Sequence, residues 1–291
     1  MKLKNSPVHK LLLFSFLCGL LVACRVEVAQ PDVNKELRIA SNFLTPKQQS
    51  YFRTWQKKSG IKIEFLRLNA QQIHYRIKKK PWNPGFDLVW LNSLDAYAQL
   101  EKTPFQERYP DFAQIPIGLS YVPDSLDQVK NFVELSKTNL WAAADDASFG
   151  LLKAHFSFAY RNREKNQQQQ KAYLAIIRGL KERKLAFNGA NEYHTNMLLC
   201  RYDTYHQQLK PANRKQRILY PKFFKYQGVA DRNIICIVQQ AMNYSSAKRF
   251  QAYLQKQLQK NPKFCQKLGF KKIEANSKLI SSKALLNYLK K

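Results

Sequence analysis

Polar and aromatic side chains recur where apolar segments of this chain end, and there they can join backbone N–H groups in holding a small solute. Ser41 and Asn42 follow Leu37–Ala40, while Trp90, Asn92 and Ser93 close the run that begins at Phe86. Asp145, Asp146 and Ser148 follow Leu140–Ala144; Asn188, Asn191, Glu192 and Tyr193 follow Leu185–Phe187; Tyr220 ends Arg217–Leu219. Ser93, at a helix start, offers N–H groups and a hydroxyl to an anion. Ser148 can donate in the same way, and Asp145 and Asp146 suit an amine or a metal. All of them also have the chemistry of ordinary helix caps. Tyr193-His194, Tyr202, Tyr205-His206, Tyr220 and Tyr226 fall within 34 residues, and phenolate oxygen is a hard donor suited to a ferric ion. Tyr193 and Tyr226 are therefore the metal candidates, although no adjacent tyrosine pair exists. Trp90, Trp141 and Tyr193 would supply an aromatic cage for a cation. An anionic or zwitterionic solute is the broadest reading.

The motifs of bond-making chemistry are missing. There is no G-x-S-x-G, no H-E-x-x-H, no G-x-x-x-x-G-K-[ST] and no G-x-G-x-x-G. His155, His194 and His206 lack spacings that imply a shared metal. The expectation is a protein without catalytic residues or a cofactor, with a secreted hydrolase as the contrasting class.

The start of the chain fixes its compartment. Lys2, Lys4 and Lys10 precede an eleven-residue apolar run, Leu11–Leu21, followed by Val22-Ala23-Cys24. A charged start, a short apolar centre and small residues before a cut describe a secretory signal, and the run is too short to span a bilayer, which takes about 20 residues. Leu21-Val22-Ala23-Cys24 resembles the lipobox of bacterial lipoproteins, in which the cysteine is lipidated and becomes the new N-terminus. Residues 1–23 are thus read as a removed signal, Cys24 as the lipidation site and 24–35 as a tether. The protein is placed outside the cytoplasmic membrane, periplasmic or on the cell surface.

Charge narrows the partners. The chain carries a formal +29; removing a signal with three lysines and no acid leaves +29 − 3 = +26. Such a surface is drawn to anions. For an exported, tethered protein these are anionic headgroups, acidic polymers or an anionic solute rather than nucleic acid. Of five cysteines, Cys18 lies in the signal and Cys24 at the anchor. Cys200, Cys236 and Cys265 form no CxxC pair, and their disulfide state stays open; Cys236, inside Ile234–Val238, reads as core.

The elements that must position these residues alternate. Leu37–Ala40 reads as a strand. Thr45-Pro46-Lys47-Gln48 is a capping box with proline at the first helical position, and Gly60 ends that helix. Ile61–Phe65 alternates as a half-buried strand. Asn69 caps a helix to about Lys79, Phe86–Leu91 is a buried parallel strand, and Ser93 opens the next helix. Residues 102–138, with Pro104, Pro110, Pro116 and Pro123, read as irregular. Leu140–Ala144 reads as a strand, 149–162 and 167–183 as helices, Leu185–Phe187 as a strand and 192–208 as a helix. Strands at 217–220 and 233–238, a helix capped by Ser245 or Ser246, a short helix from Asn261-Pro262 to Gly269 and a last helix at 277–289 complete the order. This succession implies doubly wound, mostly parallel sheets.

Several segments resemble bacterial extracellular solute-binding proteins. They are Arg38–Ser41, Trp55-Gln56-Lys57-Lys58-Ser59-Gly60-Ile61-Lys62-Ile63-Glu64-Phe65, Pro84-Gly85-Phe86-Asp87-Leu88-Val89-Trp90, Leu219-Tyr220-Pro221, and Ala241-Met242-Asn243-Tyr244-Ser245-Ser246-Ala247-Lys248-Arg249-Phe250. The nearest subgroup is the iron, thiamine and phosphonate binders of ABC importers, with a periplasmic-binding-protein-like type II fold. The resemblance implies an α/β fold of two lobes, 36–124 plus 228–291 and 125–227, each a mostly parallel sheet flanked by helices, with a ligand cleft between. It also implies a monomer that passes its solute to a membrane permease. Ferric-ion binders of that family use a tyrosine pair. A non-transport lipoprotein on the same fold (adhesin, sensor or assembly factor) is the alternative.

Overall fold

The computed structural model describes residues 35–121, 143–144, 146–161, 197–209, 217–219, 230–270 and 280–289. Cys24, Asp145, Asn188, Glu192, Tyr193, Tyr220 and Tyr226, together with Trp141 and the lobe boundaries at 124/125 and 227/228, lie outside the described residues.

Five strands build a first sheet. β1 (Glu36–Ser41) pairs in parallel with β2 (Lys62–Arg67) on one side and β3 (Leu88–Leu91) on the other. β8 (Ala230–Val238) lies antiparallel to β3, and β4 (Phe105–Tyr121) is antiparallel to β8 in turn. Four of the five strands therefore run in one direction. The same β4 continues into a second sheet, where Ile117–Tyr121 pairs with β6 (Met197–Arg201) and Leu119–Tyr121 with β7 (Arg217–Leu219). β5 (Ala143–Ala144) lies parallel to β6. Since β5, β6 and β7 all oppose β4, their carboxyl ends point back toward the first sheet.

Local chemistry explains the first half closely. Thr45 and Gln48 form a reciprocal capping box before α1 (Pro46–Gln49), which continues through a 3₁₀ turn into α2 (Arg53–Ser59). Gly60 ends it at φ +71°, a left-handed conformation that glycine tolerates without Cβ strain. Asn69 and Gln72 box the start of α3 (Ala70–Lys79). Ser93 caps α4 (Leu94–Ala98) by accepting from the Ala96 N–H. Later come α5 (Asp146–Arg161), the short α6 (Tyr202–Thr204) with a π turn at Tyr205–Leu209, α7 (Tyr244–Lys260), α8 (Pro262–Leu268) and α9 (Ser282–Leu289).

Three expectations are corrected. Residues 105–121 of the stretch expected to be irregular form the longest strand among the described residues, and one of its two register shifts, between Tyr109 and Ala113, spans Pro110, where a missing N–H is tolerated. Met197–Arg201 is strand rather than helix, because β4 offers that segment a full antiparallel ladder. α7 starts from Asn243, not from Ser245 or Ser246; the Asn243 side chain turns away to Asp87, and Ser246 is buried inside the helix.

The core of the first sheet is aromatic. Trp90 is fully buried, and Phe43, Phe52, Phe250 and Phe270 pack round it with ring centroids 5.4–6.3 Å away. Cys200, Cys236 and Cys265 are all buried, and burial pushes the Cys236 thiol up to about 12. Asp87 ties three elements together: its carboxylate accepts the Arg38 N–H at 3.0 Å and the Asn243 N–H at 3.0 Å, with the Asn243 amide at 3.3 Å. Asp87→Ala strands two backbone donors and is expected to lower the unfolding free energy by about 3 kcal/mol, measured by urea denaturation.

Candidate functional site

The carboxyl ends of β1 and β3, the start of β8 and the carboxyl end of β6 meet where β4 leaves one sheet for the other. Asn42 follows β1, and its side-chain oxygen accepts the Asn92 N–H at 3.4 Å. The Asn92 amide donates to Asp203 at 3.5 Å, linking the end of β3 to the turn after β6. Arg201, the last residue of β6, grips Asp203 with two nitrogens at 3.0 and 2.7 Å and reaches Asp231 on β8 at 2.9 Å. Asp231 has no exposed surface. Its other oxygen accepts the N–H groups of Leu94 and Arg232, both at 2.7 Å. Burial raises this carboxyl, while Arg201 and the two amides pull it down.

A second buried cation braces the same region. Arg232 is 1 % exposed; it binds Asp111 at 2.9 Å and the carbonyls of Ala230 and Ile280 at 2.8 and 2.6 Å. Ser282 of α9 also donates to Asp111 at 2.6 Å. His155 of α5 lies buried nearby, and its Nε2 has no hydrogen-bond partner among the described residues. Its imidazole is pushed down to about 3, first by burial and then by the Arg232 charge, against the pull of a hydrogen bond with the Ala230 backbone.

A cavity of about 660 Å³ is lined by elements that belong to both sheets. Thr45, Lys47, Gln48 and Tyr51 line it from the segment after β1, Lys263, Gln266 and Lys267 from α8, and His206 from the turn after β6. Lys47, Lys263 and Lys267 are exposed, and Lys267 stands 5.1 Å over the Tyr51 ring. No carboxylate lines the cavity among the described residues. The His206 ring packs tilted against Tyr202, with centroids 4.1 Å apart. Burial raises the Tyr202 phenol, away from the phenolate a ferric ion requires. Among the described residues no group of three His, Cys, Asp or Glu is placed to hold a metal.

Residues singled out from the sequence divide accordingly. Asn42 and Asn92 reach the crossing, and Ser93 stands beside them with its hydroxyl used as a cap. Trp90 is corrected from ligand contact to core: its ring is enclosed and its indole N–H donates to Asn233 at 2.6 Å, so it closes no cationic cage. Ser41 is 2 % exposed, with its hydroxyl accepting the Phe43 N–H, and is corrected in the same way. Asp146 begins α5, and Ser148 is buried in its first turn. The sequence reading missed Arg201, Asp203, Asp231 and the three lysines. The signal for Asp231 was present: Asp231-Arg232-Asn233 opens a segment that is otherwise apolar, and charges in a buried strand require partners.

The sequence matches no protein-family model and no curated protein. Solved structures do share the architecture. The Trichodesmium protein IdiA (FutA), in complex with iron and citrate ligands, superposes with a TM-score of 0.61 at 13 % identity, covering 88 % of this chain and 95 % of that one. The ferric binding protein from Campylobacter jejuni gives 0.62 at 14 %, covering 87 % and 96 %. The substrate-binding domain of a putative molybdenum ABC transporter from Clostridium difficile gives 0.59 at 16 %, covering 82 % and 99 %. The chain thus has the α/β fold of periplasmic solute-binding proteins, resembling the type II periplasmic-binding-protein-like group.

Two measurements probe the crossing. The ordinary histidine value is 6.5, so below it the unfolded chain takes a proton that folded His155 refuses. Its contribution to stability is complete above pH 6.5 and is lost as pH falls toward 3. Between pH 7 and 5 this amounts to about 2 kcal/mol, and His155→Leu is expected to remove that component from urea unfolding curves recorded at both pH values. Arg201→Leu leaves Asp231 buried and unpaired, with an expected loss of about 3–5 kcal/mol in the same assay.

Proposed function

We propose that this chain is the solute-binding component of an importer, held at the outer side of the cytoplasmic membrane through Cys24. In this reading the lobes 36–124 plus 228–291 and 125–227 close over a small anion and present it to an ABC permease. The protein performs no bond-making chemistry. The supporting observation is the cavity itself: Lys47, Lys263 and Lys267 line it from elements of the first sheet and His206 from the turn after β6, in a fold shared with solute binders. With no carboxylate lining the cavity among the described residues, the lysines favour a solute with two or more negative charges, because ammonium groups gathered together repel until an anion separates them. A cleft between hinged halves buries such a solute from most directions at once.

Iron is the second reading, favoured by the iron-bound and ferric-binding neighbours. The tyrosines proposed for it, Tyr193 and Tyr226, lie outside the described residues. An anion can also enter as the partner of a metal, so the two readings are separable only by testing each component alone.

The decisive experiment is a thermal-shift screen with citrate, phosphate, phosphonates, sulfate, molybdate and ferric iron, each alone and iron with each anion. Saturation near 100 times Kd stabilises the folded state by about 2.7 kcal/mol, a rise of several degrees. Lys263→Ser with Lys267→Ser should remove the anion response and leave the ligand-free midpoint nearly unchanged, since both side chains are exposed. A response to iron alone that survives the lysine changes replaces the anion reading. No response across anions, metals, amines and sugars points to a non-transport lipoprotein, and turnover of an ester or glycan points to a hydrolase.

A further inference from the structure

The end of the first sheet opposite the cavity carries a surface that solute binding does not use. β1 begins there at Glu36 and β3 begins there beyond Gly85; β8 ends there, because Leu88 pairs with Ile237 in the antiparallel register. Trp82 stands 72 % exposed at this end, more than any other large apolar side chain among the described residues. With the partly exposed Met242 it borders a shallow hollow of about 100 Å³. Lys78, Lys79 and Lys80, all exposed, come immediately before it at the close of α3. The acids at this end are already engaged: Glu36 pairs with Lys62 at 3.2 Å and Arg38 at 3.3 Å, and Asp87 is buried on two backbone amides.

An indole and a thioether beside a run of lysines match the two layers of a lipid interface. Tryptophan settles where apolar meets wet, and each lysine near an anionic leaflet adds about 1 kcal/mol of attraction. Chain length places the interface within reach. Cys24 precedes Glu36 by twelve residues, which span at most about 40 Å when fully extended. The tether therefore enters the sheet at the end where Trp82 and the lysines stand.

We infer that this end of the first sheet docks on the anionic phospholipid headgroups of the membrane that carries Cys24. The inference rests on the anchor proposed above and not on the identity of the solute. In the docked pose Trp82 and Met242 enter the headgroup layer, Lys78–Lys80 lie at phosphate level, and the cavity at the other end of the strands stays clear of the bilayer.

The test uses the full-length protein purified from membranes and reconstituted on vesicles of bromo-acyl phosphatidylcholine, with or without phosphatidylglycerol. Vesicles containing phosphatidylglycerol should quench part of the tryptophan emission, and Trp82→Phe should abolish that quenched part. Lys78→Ser, Lys79→Ser and Lys80→Ser together, or high salt, should abolish most of it, about fivefold in docking strength per lysine. These side chains are exposed, so unchanged thermal midpoints confirm that the variants fold. Quenching that survives Trp82→Phe, or that is equal on vesicles lacking phosphatidylglycerol, overturns the docking. Protein that sediments with vesicles but is not quenched overturns the docking and leaves the anchor standing. Protein that stays in the supernatant overturns both.

Discussion

Asp231 receives hydrogen bonds from three directions at the point where the two sheets join. Leu94 donates from the start of α4, Arg232 from its own strand, and Arg201 from the last residue of β6 in the second sheet. A carboxylate with no exposed surface costs several kcal/mol in lost hydration, and only a complete set of well-aligned donors offsets that. Each donor position therefore constrains a different element: the exit of β3, the first residues of β8 and the exit of β6. Because Asp231 pairs with Ile115 two positions before β4 enters the second sheet, the same contact fixes the angle at which that strand crosses. The polar line from Asn42 through Asn92 and Asp203 extends the constraint across all the strand ends that frame the cavity.

Directly beneath this crossing the sheet is apolar and aromatic. Trp90 fills the centre with its one polar atom assigned to Asn233, whose own amide donates to the Leu91 carbonyl at 3.1 Å. Phe52, Phe250 and Phe264 then carry α7 and α8 onto the face of the sheet through edge-on ring contacts. This matters for the cavity, since Lys263 and Lys267 ride on α8. Their position is set by Phe264, Cys265 and Leu268 on the buried side of the same helix, so the cations line the cavity because their neighbours are core. His206 is placed by the other route, five residues after β6 ends at Arg201.

Local signals carried the first third of the chain. Two capping boxes, a left-handed glycine and a proline at the first helical turn fix where helices start and stop through contacts within a few residues, and a linear reading finds such contacts. Phe86–Leu91 was equally legible, because a strand covered on both faces leaves an unbroken apolar run. β4 escaped for the opposite reason. Its pairing is entirely long-range, Pro110 sits inside a register shift where the ladder needs no donor, and its residues from Ala113 to Gly118 are buried although the segment shows no two-residue alternation. Met197–Arg201 is a helix-forming sequence in isolation and becomes a strand only because β4 lies beside it. Trp90 was misread because a strand end and a core position coincide there: position in the chain suggested an exposed ligand contact, and tertiary packing enclosed it. Arg201 and Asp203 stand two residues apart but act through partners 30 and 111 positions away, which no spacing rule reveals.

The distribution of rigidity and charge bears on how such a molecule can respond to a solute. At the crossing, the ion pairs of Arg201 with Asp203 and buried Asp231 leave these groups little freedom. The cavity takes its three lysines from elements of the first sheet and His206 from the turn after β6. Ammonium groups that share a space raise the energy of any state that crowds them, and more so as water is excluded. An anion reverses the sign of that interaction, and a ligand shifts two states only by its difference in affinity for them. All three lysines stand on elements of the first sheet, so their mutual repulsion is set by the packing of α1 and α8 and is relieved by an anion held between them.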